Sequence, residues 1–99
     1  MIELKAIRVL RGVSDLKSFT LAARELGLAP ASVTRIVSQL EKDLGTQLLV
    51  RTTRQVALTS AGATALARYR PLLEGFDAVT HDLKRAVQPD SGHLRLTAP

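Results

Sequence analysis

The chain has 99 residues, enough for one small domain with an extended element, and with 45% apolar and only 3% aromatic residues its core must be built mainly from Leu, Val, Ile and Ala. It has no cysteine, which excludes a disulfide framework and zinc–thiolate sites; no apolar run approaches membrane-spanning length and no signal-peptide pattern opens it, so the expectation is a cytoplasmic chain without a membrane partner. The formal charge of +5 favours polyanions, and it is unevenly placed: residues 1–59 hold nine Lys and Arg against five acids, a net of +4, and residues 60–99 hold five against four, a net of +1.

Leu4, Ile7, Leu10 and Val13 recur at helical spacing with Lys5, Arg8 and Arg11 between them. This predicts an amphipathic first helix of about three turns, broken by Ser14-Asp15 and Lys17-Ser18. Ser18 to Leu44 then reads as two helices joined by a tight turn. Ser18 or Thr20 can cap the first, because a hydroxyl accepts from the free amides of an opening turn. Phe19, Ala22, Ala23 and Leu26 form its apolar face, and Gly27 follows where a helix ends easily in a left-handed residue. Pro30 sits where a new helix begins, since its missing amide has no partner there anyway. Val33, Ile36, Val37, Leu40 and Leu44 make the apolar stripe of this helix. Its other face carries Ala31, Ser32, Thr34 and Arg35, then Ser38, Gln39 and Lys42. Small, hydroxyl and basic side chains at a helix N-terminus suit entry into a DNA groove. The unit is a predicted helix-turn-helix, and the first helix supplies the third side of its core.

Gly45 stops the third helix. Leu48-Leu49-Val50 and Val56-Ala57-Leu58 flank a polar, basic tip, Arg51 to Gln55, which predicts a β-hairpin directly after the recognition helix, a wing. Thr59 or Ser60 can cap a long helix running to about Val87. Along it Leu66, Tyr69, Leu73, Phe76, Thr80, Leu83 and Val87 alternate steps of three and four over three heptads. Such a seam is expected to face a partner, with the helix-turn-helix core covering only the first turn or two. Pro71 removes the bond to Ala67 and should bend the helix locally. Gln88 to Gly92 has linker composition, and His93 to Pro99 alternates as a strand would.

The candidate DNA contacts follow from these positions. Arg35, one turn into the recognition helix, is placed for a base edge, ideally bidentate to guanine, or for a phosphate. Ser32 and Thr34 can reach bases or phosphates, Gln39 continues the same face, and Pro30 and Ala31 offer apolar contact to thymine methyls. Arg54 at the wing tip, with Thr53 beside it, suits a narrow minor groove, while Arg51 at the strand end can reach DNA or pair within the domain. Ser18 and Thr20 lie at a helix N-terminus, where amides also bind phosphate. His81 and His93 are far apart with no third ligand at metal spacing, so no metal site is predicted. Asp15, Glu25, Glu41 and Asp43 form no acid/base pair with a nucleophile, and Glu41 and Lys42 read as the exposed face of helix three. An enzyme fragment therefore has no candidate residues. A protein-interaction module pairing through its heptad helix is the remaining rival, and it would expose apolar anchors where this face has Ser, Thr, Arg and Gln.

The stretch from Ser18 to Gly62 resembles the N-terminal DNA-binding region of LysR-type transcriptional regulators. The resemblance rests on Ser18-Phe19-Thr20, Ala22-Ala23, Val33-Thr34-Arg35, Leu40-Glu41, Leu44-Gly45, Leu48-Leu49, Arg51, Leu58-Thr59, Ala61-Gly62 and, further on, Gly92-His93-Leu94-Arg95. It departs from the family at Ala29, often Ser or Thr there, and at Pro30-Ala31, where members often carry Gln-Pro. The resemblance implies a mainly α fold: a winged helix-turn-helix of three helices and a two-stranded wing over residues 1–59, then a long linker helix over 60–88 through which the chain dimerises with the two helices antiparallel. Residues 89–99 would be a hinge to an effector domain of periplasmic-binding-protein type, in a chain about three times longer. The implied partners are double-stranded DNA and a second copy, with tetramers open to the longer protein. No cofactor is expected in these residues, and a small-molecule effector would belong to the further domain.

Overall fold

The computed structural model describes residues 2–52 and 55–87. The wing-tip candidates Thr53 and Arg54, and the linker and alternating run from Gln88 onward, lie outside the described residues. The elements are α1 (Leu4–Leu16), α2 (Phe19–Leu26), α3 (Pro30–Leu44), β1 (Leu49–Arg51), β2 (Val56–Leu58) and α4 (Ser60–Ala86).

α1 runs through the expected break at Ser14-Asp15 and ends only at Lys17, which takes the left-handed conformation at φ 54°. Ile7, Val9, Leu10 and Val13 are its buried residues, so Val9 takes the place in the core expected of Leu4, which is exposed. Ser18 then caps α2, its Oγ accepting from the Leu21 amide at 3.0 Å. The two alanines of α2 are its buried positions, and their small side chains let α1 and α3 pack closely on them. α2 and α3 end alike. Gly27 and Gly45 are left-handed, and the next residue turns its amide back, Leu28 to the Ala23 carbonyl and Thr46 to the Glu41 carbonyl. A side chain at either glycine would meet the steric cost of positive φ. α3 opens on Pro30 with Ala29 as an N-cap that makes no side-chain bond, as the sequence implied.

β1 and β2 pair antiparallel with Leu49 opposite Leu58 and Arg51 opposite Val56, and the Thr52 amide closes the hairpin on the Gln55 carbonyl at 2.8 Å. Leu48 precedes β1 and is buried in the core. Glu41 corrects the expectation of an exposed α3 residue. It is half-buried, and its Oε2 accepts from the amides of Leu48 and Leu49 at 2.7 and 3.0 Å. One carboxylate thus fastens the start of the wing to the recognition helix. Replacing Glu41 by Ala leaves two part-buried amides without that partner and should cost about 1–3 kcal/mol, with Glu41→Gln recovering part through its amide oxygen. Urea unfolding of the two variants measures it, and equal midpoints for wild type and Glu41→Ala would remove Glu41 from this role.

α4 begins with Thr59, whose Oγ1 accepts from the Gly62 amide at 2.9 Å and donates to the Gln47 carbonyl at 2.6 Å. The seam expectation is corrected in its first half. Leu66 and Leu73 are 2% and 1% exposed within the chain, and half-buried Tyr69 packs against the same core. The domain's core therefore continues along α4 as far as Leu73, much further than one or two turns. The physical reason lies in α1, which packs beside α4 and lends it an apolar face. Arg8 of α1 makes two hydrogen bonds to the Asp77 carboxylate of α4, and Arg70 of α4 makes two to Asp15 of α1. These bonds hold both carboxyls below the usual carboxylate range. Their contribution to stability is complete at neutral pH and is lost as pH falls through those lowered values. Past Asp77 the helix is exposed on all sides except at Thr80, whose hydroxyl donates to the Phe76 carbonyl one turn back. This projecting end stretches the molecule to 54 Å against 24 and 21 Å across. No helix among the described residues is long and apolar enough to cross a membrane.

Candidate nucleic-acid interface

The α3 stripe of Val33, Val37 and Leu40 is buried against α1 and α2. Burial of that stripe fixes which residues turn outward, because positions three and four apart share a face. Pro30, Ala31, Arg35, Ser38, Gln39 and Lys42 are exposed, and Ser32 and Thr34 are half-buried. Arg35 projects from the first turns, with one guanidinium nitrogen 3.4 Å from Ser32 Oγ, a long contact that leaves its donors available.

The wing lies beside this helix. A cleft of about 410 Å³ separates them, lined by Thr34, Ser38 and Glu41 of α3 and by Gln47, Leu49 and Arg51 of the approaching wing. Arg51 belongs to the end of β1, short of the tip. Its guanidinium lies 3.8 Å over the centre of the Phe19 ring, and one nitrogen donates to Thr34 Oγ1 at 3.1 Å. The alternative of pairing within the domain is therefore realised, and it does not remove the cation from the surface, since Arg51 remains exposed. Stacking on an aromatic face removes rotamer freedom in advance, so a further partner can be bound by the exposed guanidinium at small entropic cost. The α2 N-terminus, with Ser18, Phe19 and Thr20, adjoins the same spot.

The structure thus brings Thr34 and Arg51 together beside Phe19, whose chain neighbours at the start of α2 are Ser18 and Thr20, with Ala31, Ser32 and Arg35 along α3. Gln39 turns aside. Its Nε2 donates to Asp43 Oδ1 at 2.9 Å, and it borders a small cleft shared with Ile2, Glu3 and Ala6 of the N-terminus. Ser38 lines the cleft facing the wing and Lys42 is exposed one turn on, and the i, i+4 step from Thr34 to Ser38 was the mark of it in the sequence. Phe19 as a platform for Arg51, and Glu41 as the fastening of the wing, have no mark at that level because both depend on contacts across the fold.

Among the described residues no cluster of three or more His, Asp or Glu side chains is placed to hold a metal ion. The sequence model of the family described as bacterial regulatory helix-turn-helix protein, lysR family, matches residues 4–63. The HTH-type transcriptional regulator YfeR of Shigella flexneri, itself uncharacterized, is 38% identical over 95 residues, 96% of this chain and 31% of YfeR. The chain spans about a third of the length of that relative. Among solved structures, BenM_DBD in complex with benA site 1 DNA superposes with a TM-score of 0.78 at 35% identity, covering 92% of this chain and 99% of that one. The oxidized form of OxyR from Corynebacterium glutamicum gives a TM-score of 0.81 at 28% identity over 85% of this chain and 26% of its own.

Proposed function

Since the chain belongs to the LysR family of bacterial helix-turn-helix regulators, we propose that it is the part of a transcription regulator that binds double-stranded DNA in a sequence-specific way, without chemistry, in the cytoplasm. The observation that carries this reading is the joint surface of α3 and the wing, where Arg35, Ser38 and an Arg51 already stacked and hydrogen-bonded present donors on one side of the domain. α3 enters the major groove. Arg35 and the residues around it read base edges, while Arg51 and the amides at the start of α2 hold phosphates and fix the register. Thr53 and Arg54, which fall in the sequence between the two strands, are the candidates for the adjoining minor groove.

Phosphate-led binding releases counterions, so affinity for duplex DNA should fall steeply as salt rises. Titrating the 99-residue chain with duplex DNA from low to physiological salt tests this, and an affinity indifferent to salt would overturn it. Within that frame Arg35→Ala should remove about 1–3 kcal/mol of discrimination at a single base position, and Arg51→Ala should weaken all sequences alike. Selection of bound sequences from random duplexes, run on both variants, separates the two effects. If Arg35→Ala selects the same sequences with the same stringency as wild type, Arg35 is not a base reader.

The second part of the reading is a homodimer through α4. Leu72, Phe76, Val79, Leu83 and Val87 form an exposed apolar row along its outer half. Beside its first half runs a groove of about 870 Å³ whose apolar lining includes Leu44, Leu48, Ala61, Ala65 and Leu72. Two antiparallel copies would lay the row of each in the groove of the other, which is the self-complementary arrangement a two-fold axis requires. Two recognition helices on one duplex then demand paired half-sites.

A further inference from the structure

The two Arg–Asp pairs between α1 and α4 are related by a reciprocal symmetry. Arg8 and Asp15 are seven residues apart on α1, and Asp77 and Arg70 are seven apart on α4. The rising order on one helix meets the falling order on the other, so the helices run antiparallel with equal rise between their two ties. The polarity is reciprocal as well: cation on α1 and anion on α4 at one tie, the reverse at the other. Each tie uses both guanidinium ends, which fixes direction as well as distance. At the outer tie Arg8 also lies 5.6 Å from the centre of the Phe76 ring. Between the ties sits Leu73, the last fully buried residue of α4. Apolar packing alone leaves helix crossing angles with a scatter of about 15–20°. Two separated ties remove much of that freedom.

We propose that these reciprocal pairs are a spacing gauge: they fix the angle at which α4 leaves the winged domain, and so set the separation at which two copies read paired half-sites. The inference rests on the dimer reading above. The lever is long. From Thr59, where α4 is anchored, to Asp77 is about 27 Å along the helix. A swing of about 10° at the anchor moves the outer end by about 5 Å, more than the 3.4 Å between successive base pairs of a strand, and the second copy doubles it. Exposed ion pairs add little to stability, which leaves direction as the property they are suited to control. Arg70 and Asp77 lie on α4 and pair only with α1, and replacing both keeps the net charge, so their loss should leave a single half-site's affinity unchanged.

The test compares the wild type with Arg70→Gln/Asp77→Asn, which breaks one partner of each tie and keeps the net charge. The absence of native cysteine lets spin labels be placed at Glu25→Cys on α2 and Lys84→Cys on α4, both exposed, in labelled chain diluted with unlabelled chain. The double variant should broaden the label distance distribution. It should bind an isolated half-site within about twofold of wild type, while the penalty for inserting one base pair between half-sites, about tenfold or more in the wild type, shrinks to about threefold or less. Unchanged label widths with an unchanged spacing profile overturn the gauge alone. A wild type with no preference for paired sites overturns the dimer reading, and the gauge with it.

Discussion

Gly62→Ala should cost about 3 kcal/mol or more, the largest loss expected from a methyl group added at any of the described glycines. A Cβ at Gly62 would lie 2.1 Å from the Leu48 carbonyl oxygen, with the Leu48 carbonyl carbon and Leu58 Cδ2 each at 3.0 Å. The nearest atoms are backbone, and that backbone is already engaged, because the Leu48 carbonyl accepts from the Thr59 amide at 2.9 Å. The neighbouring Gln47 carbonyl accepts from Thr59 Oγ1. The methyl can be accommodated only by lifting the start of α4 off the strand entrance, which breaks those bonds and drags Leu66 from the core. A domain of this size has about 5–10 kcal/mol in total. The melting temperature should therefore fall by about 12 °C or more. Gly12→Ala is the control. Its Cβ would sit 3.5 Å from Leu26 Cδ1 and 3.8 Å from Ala22 Cβ, ordinary contact, so the gain in helix propensity should raise stability by up to about 1 kcal/mol. The same substitution with opposite signs at two glycines is read directly by urea unfolding. A Gly62→Ala midpoint at or above wild type would mean that α4 does not press on the wing as described.

Much of this architecture was legible in the sequence, and the reason is local. Ser18, Gly27, Pro30, Gly45 and Thr59 punctuate the helices by capping chemistry that acts within a few residues. The buried stripe of α3 follows from periodicity, and so does its exposed face. What was not legible depends on neighbours far along the chain. Glu41 looks like any charged residue on a helix until the wing returns its two amides to it. Arg8 and Asp77 are 69 residues apart, and nothing in either segment announces the pairing. The heptads of α4 misled in a particular way. A repeat of three and four marks a buried stripe, and it does not say against what. Leu66, Tyr69 and Leu73 face the chain's own core, while the exposed row turns gradually round the helix to Leu72, Phe76, Val79, Leu83 and Val87. Thr80, placed by the heptads among the seam residues, satisfies its hydroxyl within the helix.

That division decides which substitutions can test the dimer. Glu at Leu73, attractive from the heptads alone, would bury an unpaired carboxylate in the core and unfold the chain, so a loss of DNA binding would say nothing about assembly. Phe76 is compromised too, because Arg8 leans on its ring. Val79 and Leu83 are 59% and 63% exposed, one helical turn apart, beyond the last buried residue. Val79→Glu with Leu83→Lys keeps the net charge and adds a favourable i, i+4 pair, so neither the helix nor the electrostatic attraction to DNA should suffer. What it removes is the apolar row. Fully burying a large apolar side chain contributes about 1.5–3 kcal/mol, and five from each copy are available to offset an association cost of about 4–15 kcal/mol. Two charges at the middle of that row leave too little. The expected result is a folded monomer whose cooperative thermal unfolding no longer depends on concentration, with wild-type affinity for an isolated half-site and paired-site affinity reduced by about a hundredfold or more, because the second half-site is no longer engaged at the high effective concentration the dimer provides. Sedimentation across a concentration series and titration of one-site and two-site duplexes measure the two halves of the claim. A variant that still sediments as the wild-type dimer would move the interface off this face of α4. A wild type that is already monomeric at tens of micromolar would show that the groove and the exposed row do not meet in a pair of these chains.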